Sequence, residues 1–245
     1  MELKFRNWLE ETMPAYTHLS VFDFDGTLAN VPEKPSGWEG RDWWGHQDSL
    51  SSPHYEGEVN QEVVEAMKRN NADPHTKVIL LTGRRGVIAH GVRGILRNQG
   101  LYGKRMIPDS NKNTLQRFKG AVEAGHDEIH PDEHKGHEEF YSGDHVTEPD
   151  YPTTHKGKPD GSTLVHKIYR VNKEMNPSIE SLEFWEDRAD HIPYFIKLGL
   201  DLLKQYGAEA GGRLQKVVIH RVYPPAMPGG QGVVQHIPIK PGMSY

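Results

Sequence analysis

No cysteine occurs anywhere in the 245 residues, so neither a disulfide framework nor a thiolate metal site is available to this chain. That suits a reducing compartment, and the cytoplasm is the expected location. No apolar run approaches the ~20 residues a bilayer span needs, and Met1-Glu2-Leu3-Lys4-Phe5-Arg6 lacks a signal-peptide core, so no membrane association is expected. There is no internal repeat and no G-x-x-x-x-G-K-[ST], which removes a P-loop nucleotide kinase module. Strong charge of either sign is also missing. The formal net charge of −5 argues neither for nor against a nucleic-acid partner.

The distribution of charge is less even than its sum. From Arg84 to Lys119 nine Lys or Arg (Arg84, Arg85, Arg93, Arg97, Lys104, Arg105, Lys112, Arg117, Lys119) face the single acid Asp109. From Glu123 to Asp150 ten acidic residues face Lys135 alone. Such neighbouring blocks are read either as a binding face beside a solvated loop or as mutually neutralising segments.

The chain length suits one well-buried α/β domain with decorations and is too short for two full enzymes. The expectation is a single domain over 1–245. It carries a cap-like insertion at 29–57, a polar His-rich insertion at 120–162 and a C-terminal extension at 224–245. Residues 2–12 read as a short helix with Leu3, Trp8 and Leu9 inward. Helices are also predicted over Glu58–Asn70, from Val87 to Arg97, over Ser162–Asn176 and over Asp190–Tyr206. Strands are predicted at Leu19–Phe24, Lys77–Thr82, Met106–Ile107, Ile179–Trp185 and Leu214–Tyr223, with a short return strand at Val233–Ile239. Alternation of this kind implies a doubly wound, mostly parallel sheet whose ligand crevice lies beyond the carboxyl ends of its strands.

The chemistry is expected at those ends. Leu19–Phe24 is an apolar, β-favouring run, yet Asp23 and Asp25 stand at its carboxyl edge, two apart and on one side of the strand. Burying unpaired carboxylates is costly, so a cation and a phosphate are the natural company for this pair. Gly26 follows and permits a sharp turn. Lys77–Thr82 ends in Thr82-Gly83-Arg84, where a hydroxyl and a backbone N–H suit phosphoryl oxygens. The fourth buried strand ends in Glu186-Asp187-Arg188. Polar clusters at three strand ends fit one phosphate and one divalent cation. Mg²⁺ is the expected ion, because it binds a few carboxylates and a phosphate while keeping waters.

Asp23-Phe24-Asp25-Gly26-Thr27 resembles the first motif of the haloacid dehalogenase (HAD) superfamily, Val78-Ile79-Leu80-Leu81-Thr82-Gly83-Arg84 its second, and Glu186-Asp187 its acidic fourth. These elements, with Trp43-Trp44-Gly45, Lys158-Pro159, Thr163-x-x-His166-Lys167 and the run Glu186 to His191, are similar to one branch. That branch is the HAD domain of the Swiss Army Knife RNA repair-like family, relatives of the phosphatase half of phage polynucleotide kinase-phosphatase. The likeness covers roughly Leu19 to Tyr223. It departs from the family in having Glu-Asp where relatives more often show Asp-Asp, and in the His-rich insertion.

The resemblance implies that Asp23 attacks phosphorus and forms an aspartyl-phosphate, while Asp25 is general acid and then base. Thr82 and Lys167 would bind and stabilise the phosphoryl group, with Lys158 the competing lysine. Gly26, Thr27, Gly83, Arg84 and Arg188 would line the phosphate site. Asp23, Asp25, Glu186 and Asp187 would hold Mg²⁺. Trp38, Trp43 and Trp44 either stack on a base or anchor their loop on the core. The implied activity is a phosphatase acting on a phosphorylated RNA or DNA end, most simply a 3′-phosphate in repair. A small phosphorylated metabolite as substrate, and a non-catalytic module that binds nucleic-acid ends, are the alternatives. The histidines His126, His130, His134, His137, His145 and His155 match no zinc spacing and read as part of a solvated loop.

Overall fold

A computed structural model describes residues 16–40, 43–84, 88–101, 162–225, 230, 232–241 and 243, and the backbone of 105–106 and 138–141. Strand β1, His18–Asp23, is buried over all but its first residue, and β2, Thr76–Leu81, throughout. That continuous burial is what a strand covered on both faces demands. Between them a loop with one short 3₁₀ turn, Gln47–Leu50, leads into helix α1, Gln61–Ala72. Helix α2, Ala89–Asn98, follows β2, and then come β3, Arg105–Met106, and β4, Glu138–Tyr141. Helix α3, Thr163–Glu174, leads to β5, Ser181–Glu186, and α4, Ile192–Tyr206, to β6, Lys216–Tyr223. Strand β7, Val233–Ile239, completes the sheet.

The sheet order is β3-β4-β2-β1-β5-β6-β7. All neighbours are parallel except β6 and β7, which pair antiparallel along Val217–Tyr223. The protein is therefore an α/β protein with a mostly parallel sheet. One core packs Phe22, Leu80, Trp185 and Val222 under Val63 and Met67 of α1 and Val92 and Leu96 of α2. The other packs Val21, Ile79, Phe184 and Ile219 under Val171 of α3 and Phe195 and Leu202 of α4. Alternate residues of each strand feed opposite cores, as the two-residue strand period requires. Among the described residues no helix is long and apolar enough to cross a membrane.

Within the described residues the predicted helices and central strands are present with their ends moved by at most three residues. Strand β4 lies inside the stretch where sequence periodicity gave no element, and it sits between β3 and β2. The expected helix at 2–12, most of the His-rich insertion and Lys158 lie outside the described residues.

Candidate active site

β1 and β5 are hydrogen-bonded neighbours, and Phe22 is in register with Trp185. This register brings Asp23, at the end of β1, beside Glu186 and Asp187 at the end of β5. One carboxylate oxygen from each of Asp23, Glu186 and Asp187 lies within 4.8 Å of the others, a group that could hold a metal ion. Gly26 shapes the same place. Its φ of +74° is a left-handed conformation, and a Cβ there would fall 2.2 Å from Asp187 Oδ2. Only glycine lets the turn after β1 fold this closely over the Asp187 carboxylate.

Helix α3 contributes the counter-charge. Its buried face places Lys167 Nζ 2.8 Å from Asp23 Oδ2 and 2.6 Å from Glu186 Oε2. All three side chains are almost wholly buried. Asp23 also accepts a hydrogen bond from the Phe24 N–H at 2.8 Å, which fixes its rotamer. Glu186 accepts from the Arg188 N–H at 3.2 Å, and His191 Nδ1 lies 3.3 Å from its Oε2.

These contacts pull the protonation equilibria apart. Burial, joined by Glu186 and Asp187 and opposed by Lys167, raises the Asp23 carboxyl well above its ordinary range. Burial and the Glu186 charge push Asp187 up to about 6. Burial also opposes the charge on Glu186, but Lys167 and His191 outweigh it and hold that carboxyl down at about 2. Burial would lower Lys167, yet Asp23 and Glu186 more than compensate, so its ammonium is held above the usual range. Three carboxylates around one ammonium leave a surplus of negative charge. An all-oxygen donor set of this sign fits a hard dication.

Asp25 occupies a different setting from the other acids. Arg84 Nε donates to Asp25 Oδ1 at 2.7 Å and to Oδ2 at 3.0 Å, and Arg84 Nη2 lies 2.6 Å from Oδ1. Thr82 Oγ1 adds a longer hydrogen bond of 3.4 Å to Oδ2. Burial still dominates and raises the Asp25 carboxyl, with Arg84 pulling it down. Asp25 is accordingly not among the carboxylates grouped for a metal.

Arg84, expected to line the phosphate site, is engaged within the protein. The side chain is buried, with its donors aimed inward at Asp25, at the Trp44 carbonyl (3.0 Å) and at Ser49 Oγ (2.7 Å). It positions Asp25 and ties it to the 29–57 loop. Thr27, expected there too, is fully buried and its hydroxyl donates to Asp187 Oδ1 at 3.1 Å, so it orients a carboxylate. Trp43 is buried, donates its indole N–H to the Pro32 carbonyl at 3.1 Å, and meets Trp38 edge-on at 5.2 Å. It anchors the loop and offers no stacking face. Trp44 is the exposed one, 39% accessible, with its ring 5.4 Å from the Arg84 guanidinium carbon.

Gly83 is exposed, and a Cβ there would fall 2.5 Å from Thr163 Oγ1, so the turn after β2 meets the start of the helix that delivers Lys167. Arg188 is half-exposed and paired with Asp190 at 2.9 Å. Ser49 and His191 are the residues of this site to which the sequence assigned no role. His191 stands at the N-terminal boundary of α4 five residues after Glu186, a spacing that signals contact only once the turn is known. No known protein family, curated protein or solved structure matches the chain.

Proposed function

We propose that this chain is a Mg²⁺-dependent phosphohydrolase of the HAD type that removes a terminal phosphate, most simply a 3′-phosphate, from a polynucleotide. The observation that carries the reading is the buried Lys167 ammonium shared between Asp23 and Glu186, with Asp187 completing the cluster. A structural core has little use for three carboxylates at the ligand-binding edge of a parallel sheet.

In this reading an Asp23 oxygen forms a bond to phosphorus while the ester P–O bond breaks. Asp25 gives its proton to the departing oxygen. Asp25 then takes a proton from the water that opens the aspartyl-phosphate, returning the Asp23 carboxylate and free phosphate. Acid–base assistance of this kind contributes about 10²–10⁴-fold. The raised Asp25 carboxyl supports a proton-donor role, since a group that keeps its proton longer can deliver it at neutral pH. Lys167 neutralises charge beside the reacting carboxylate, and Thr82 keeps Asp25 oriented. Asp23, Asp187 and Glu186 would hold Mg²⁺, which supplies screening between the attacking carboxylate and a phosphate dianion.

A polynucleotide is favoured over a metabolite by two features. Trp44 presents an exposed indole next to the residue that grips Asp25. The sequence from Arg85 to Lys119, with eight Lys or Arg against one acid, would supply positive charge for a phosphodiester backbone, Arg84 itself being committed to Asp25. The test is phosphate release from 3′- and 5′-phosphorylated RNA and DNA oligomers, run with Mg²⁺ beside a panel of phosphorylated metabolites. The reading predicts release from a 3′-phosphorylated oligomer at a kcat/KM well above that of every metabolite. Higher kcat/KM on a metabolite would replace the substrate class, and tight oligomer binding without release would make the chain a binding module.

A further inference from the structure

A second constellation lies on the opposite face of the sheet from Lys167 and Glu186. β6 and β7 place His220 directly opposite His236, and their Nδ1 atoms are 2.7 Å apart. The other ring nitrogen of His220, Nε2, lies 3.2 Å from Glu183 Oε2. Glu183 Oε1 in turn accepts from Ser20 Oγ at 2.5 Å, from Trp185 Nε1 at 3.2 Å and from the Asn70 amide. The Trp185 ring stacks on His220 at 4.0 Å and 9°. His236 is exposed on the edge strand.

The proton positions follow from the donor inventory. Burial opposes the charge on Glu183, but the hydrogen bonds from His220, Ser20 and Trp185 outweigh it and hold the carboxyl at about 2. An ionised carboxylate only accepts, so His220 Nε2 carries a hydrogen. A neutral imidazole then has its lone pair on Nδ1, aimed at His236. With both rings neutral, the hydrogen between them belongs to His236 Nδ1. This is the arrangement in which metal-binding histidines are commonly held: a carboxylate fixes the tautomer and the ring plane, and the other nitrogen faces the ion.

We propose that His220 Nδ1 and His236 Nδ1 form a site for a borderline transition-metal dication, with Zn²⁺ the representative ion, in which Glu183 orients His220. Binding moves the His236 hydrogen from Nδ1 to the other ring nitrogen, Nε2, by exchange with water and with no net proton released, and two N–metal bonds replace one N–H···N hydrogen bond. Zn–N bonds of about 2.0–2.1 Å set the two nitrogens ~2.9–3.4 Å apart. The rings therefore need to part by tenths of an ångström, which an exposed edge-strand side chain supplies by rotation. Imidazole ligands select zinc, copper or nickel over magnesium or calcium, so this site and the carboxylate cluster take different ions. Water completes the coordination on the open side.

The test uses the full chain labelled with ¹⁵N-histidine and titrated with ZnCl₂, with bound zinc counted by equilibrium dialysis. The expected result is a coupled shift of the His220 and His236 Nδ1 resonances, and loss of one bound equivalent in His236→Ala. Counting by difference is needed because the chain has fifteen histidines. Glu183→Gln should weaken the site about 10–100-fold. The proposal is overturned if the two Nδ1 resonances stay fixed while zinc binds elsewhere, or if His236→Ala keeps the parent stoichiometry. The titration of the parent alone decides the matter should the variants fold poorly.

Discussion

Arg84 grips Asp25 through its Nε and Nη2 atoms while its Nη1 reaches back to the Trp44 carbonyl and the Ser49 hydroxyl. One buried guanidinium thus joins Asp25 to a loop residue, Trp44, that lies 40 positions before Arg84.

Breaking that junction should be expensive. Arg84→Met leaves the Asp25 carboxylate without its cation, and removing one partner of a buried pair costs about 3–5 kcal/mol. We expect a clear drop in the denaturant midpoint. Arg84→Lys keeps the charge but not the planar fork. It should retain most of the stability while lowering kcat, so comparison of the two variants by urea unfolding and turnover separates charge from geometry.

The two tryptophans of the loop should behave oppositely. Trp43→Ala empties a buried, packed position and is expected to cost ~3–5 kcal/mol of stability. Trp44→Ala should leave unfolding nearly unchanged. Loss of a stacking face is worth about 1–3 kcal/mol per base, so the KM for an oligonucleotide should rise roughly 5- to 150-fold. Hydrolysis of a small aryl phosphate, which has no base to stack, should stay at the parental rate.

Metal binding should depend on pH through Asp187. Its carboxyl in the fold is raised to about 6 from an ordinary 3.8. A raised acid favours the fold most when protonated, so this contribution is full below about pH 4 and is lost as pH rises through 6. A dication needs the ionised form. The melting-temperature gain from Mg²⁺ should therefore be large at pH 8 and small at pH 5. Asp187→Asn should stabilise the metal-free protein near neutral pH and abolish most of that gain.

Glu183 has the opposite sign. Its carboxyl is held at about 2 against an ordinary 4.5, so its stabilisation is full above pH 4.5 and drains away as pH falls toward 2. Glu183→Gln should lower stability at pH 7 and flatten the acid limb of the stability curve between pH 5 and 2. Urea midpoints measured at several pH values check both effects.

Much of the site was legible because strand ends are legible. Asp23, Glu186 and Asp187 are acids ending apolar, β-favouring runs, and a parallel sheet gathers such ends at one edge. Lys167 stood out only through the motif around it, since periodicity alone makes a lysine on a helix a surface charge. The contacts of Arg84 were not legible for a physical reason. Its place after Thr82-Gly83 suggested phosphate, but its partners Trp44 and Ser49 are distant in sequence and become neighbours only when the loop packs. Thr27 was obscured in the same way by Asp187, which lies 160 residues away. Strand β4 had no apolar alternation to announce it, because it sits within a polar, glycine- and histidine-rich stretch.

The most direct measurement of the central claim is chemical trapping of the phosphorylated enzyme. The protein is mixed with a 3′-phosphorylated oligonucleotide and Mg²⁺, quenched, treated with borohydride and mapped by peptide mass spectrometry. Borohydride reduces an acyl-phosphate to an alcohol, so the account predicts homoserine at position 23, dependent on substrate and absent from Asp23→Asn. Phosphate release by the Asp23→Asn protein at the parental rate, or turnover with position 23 unmodified and another residue trapped, would contradict it.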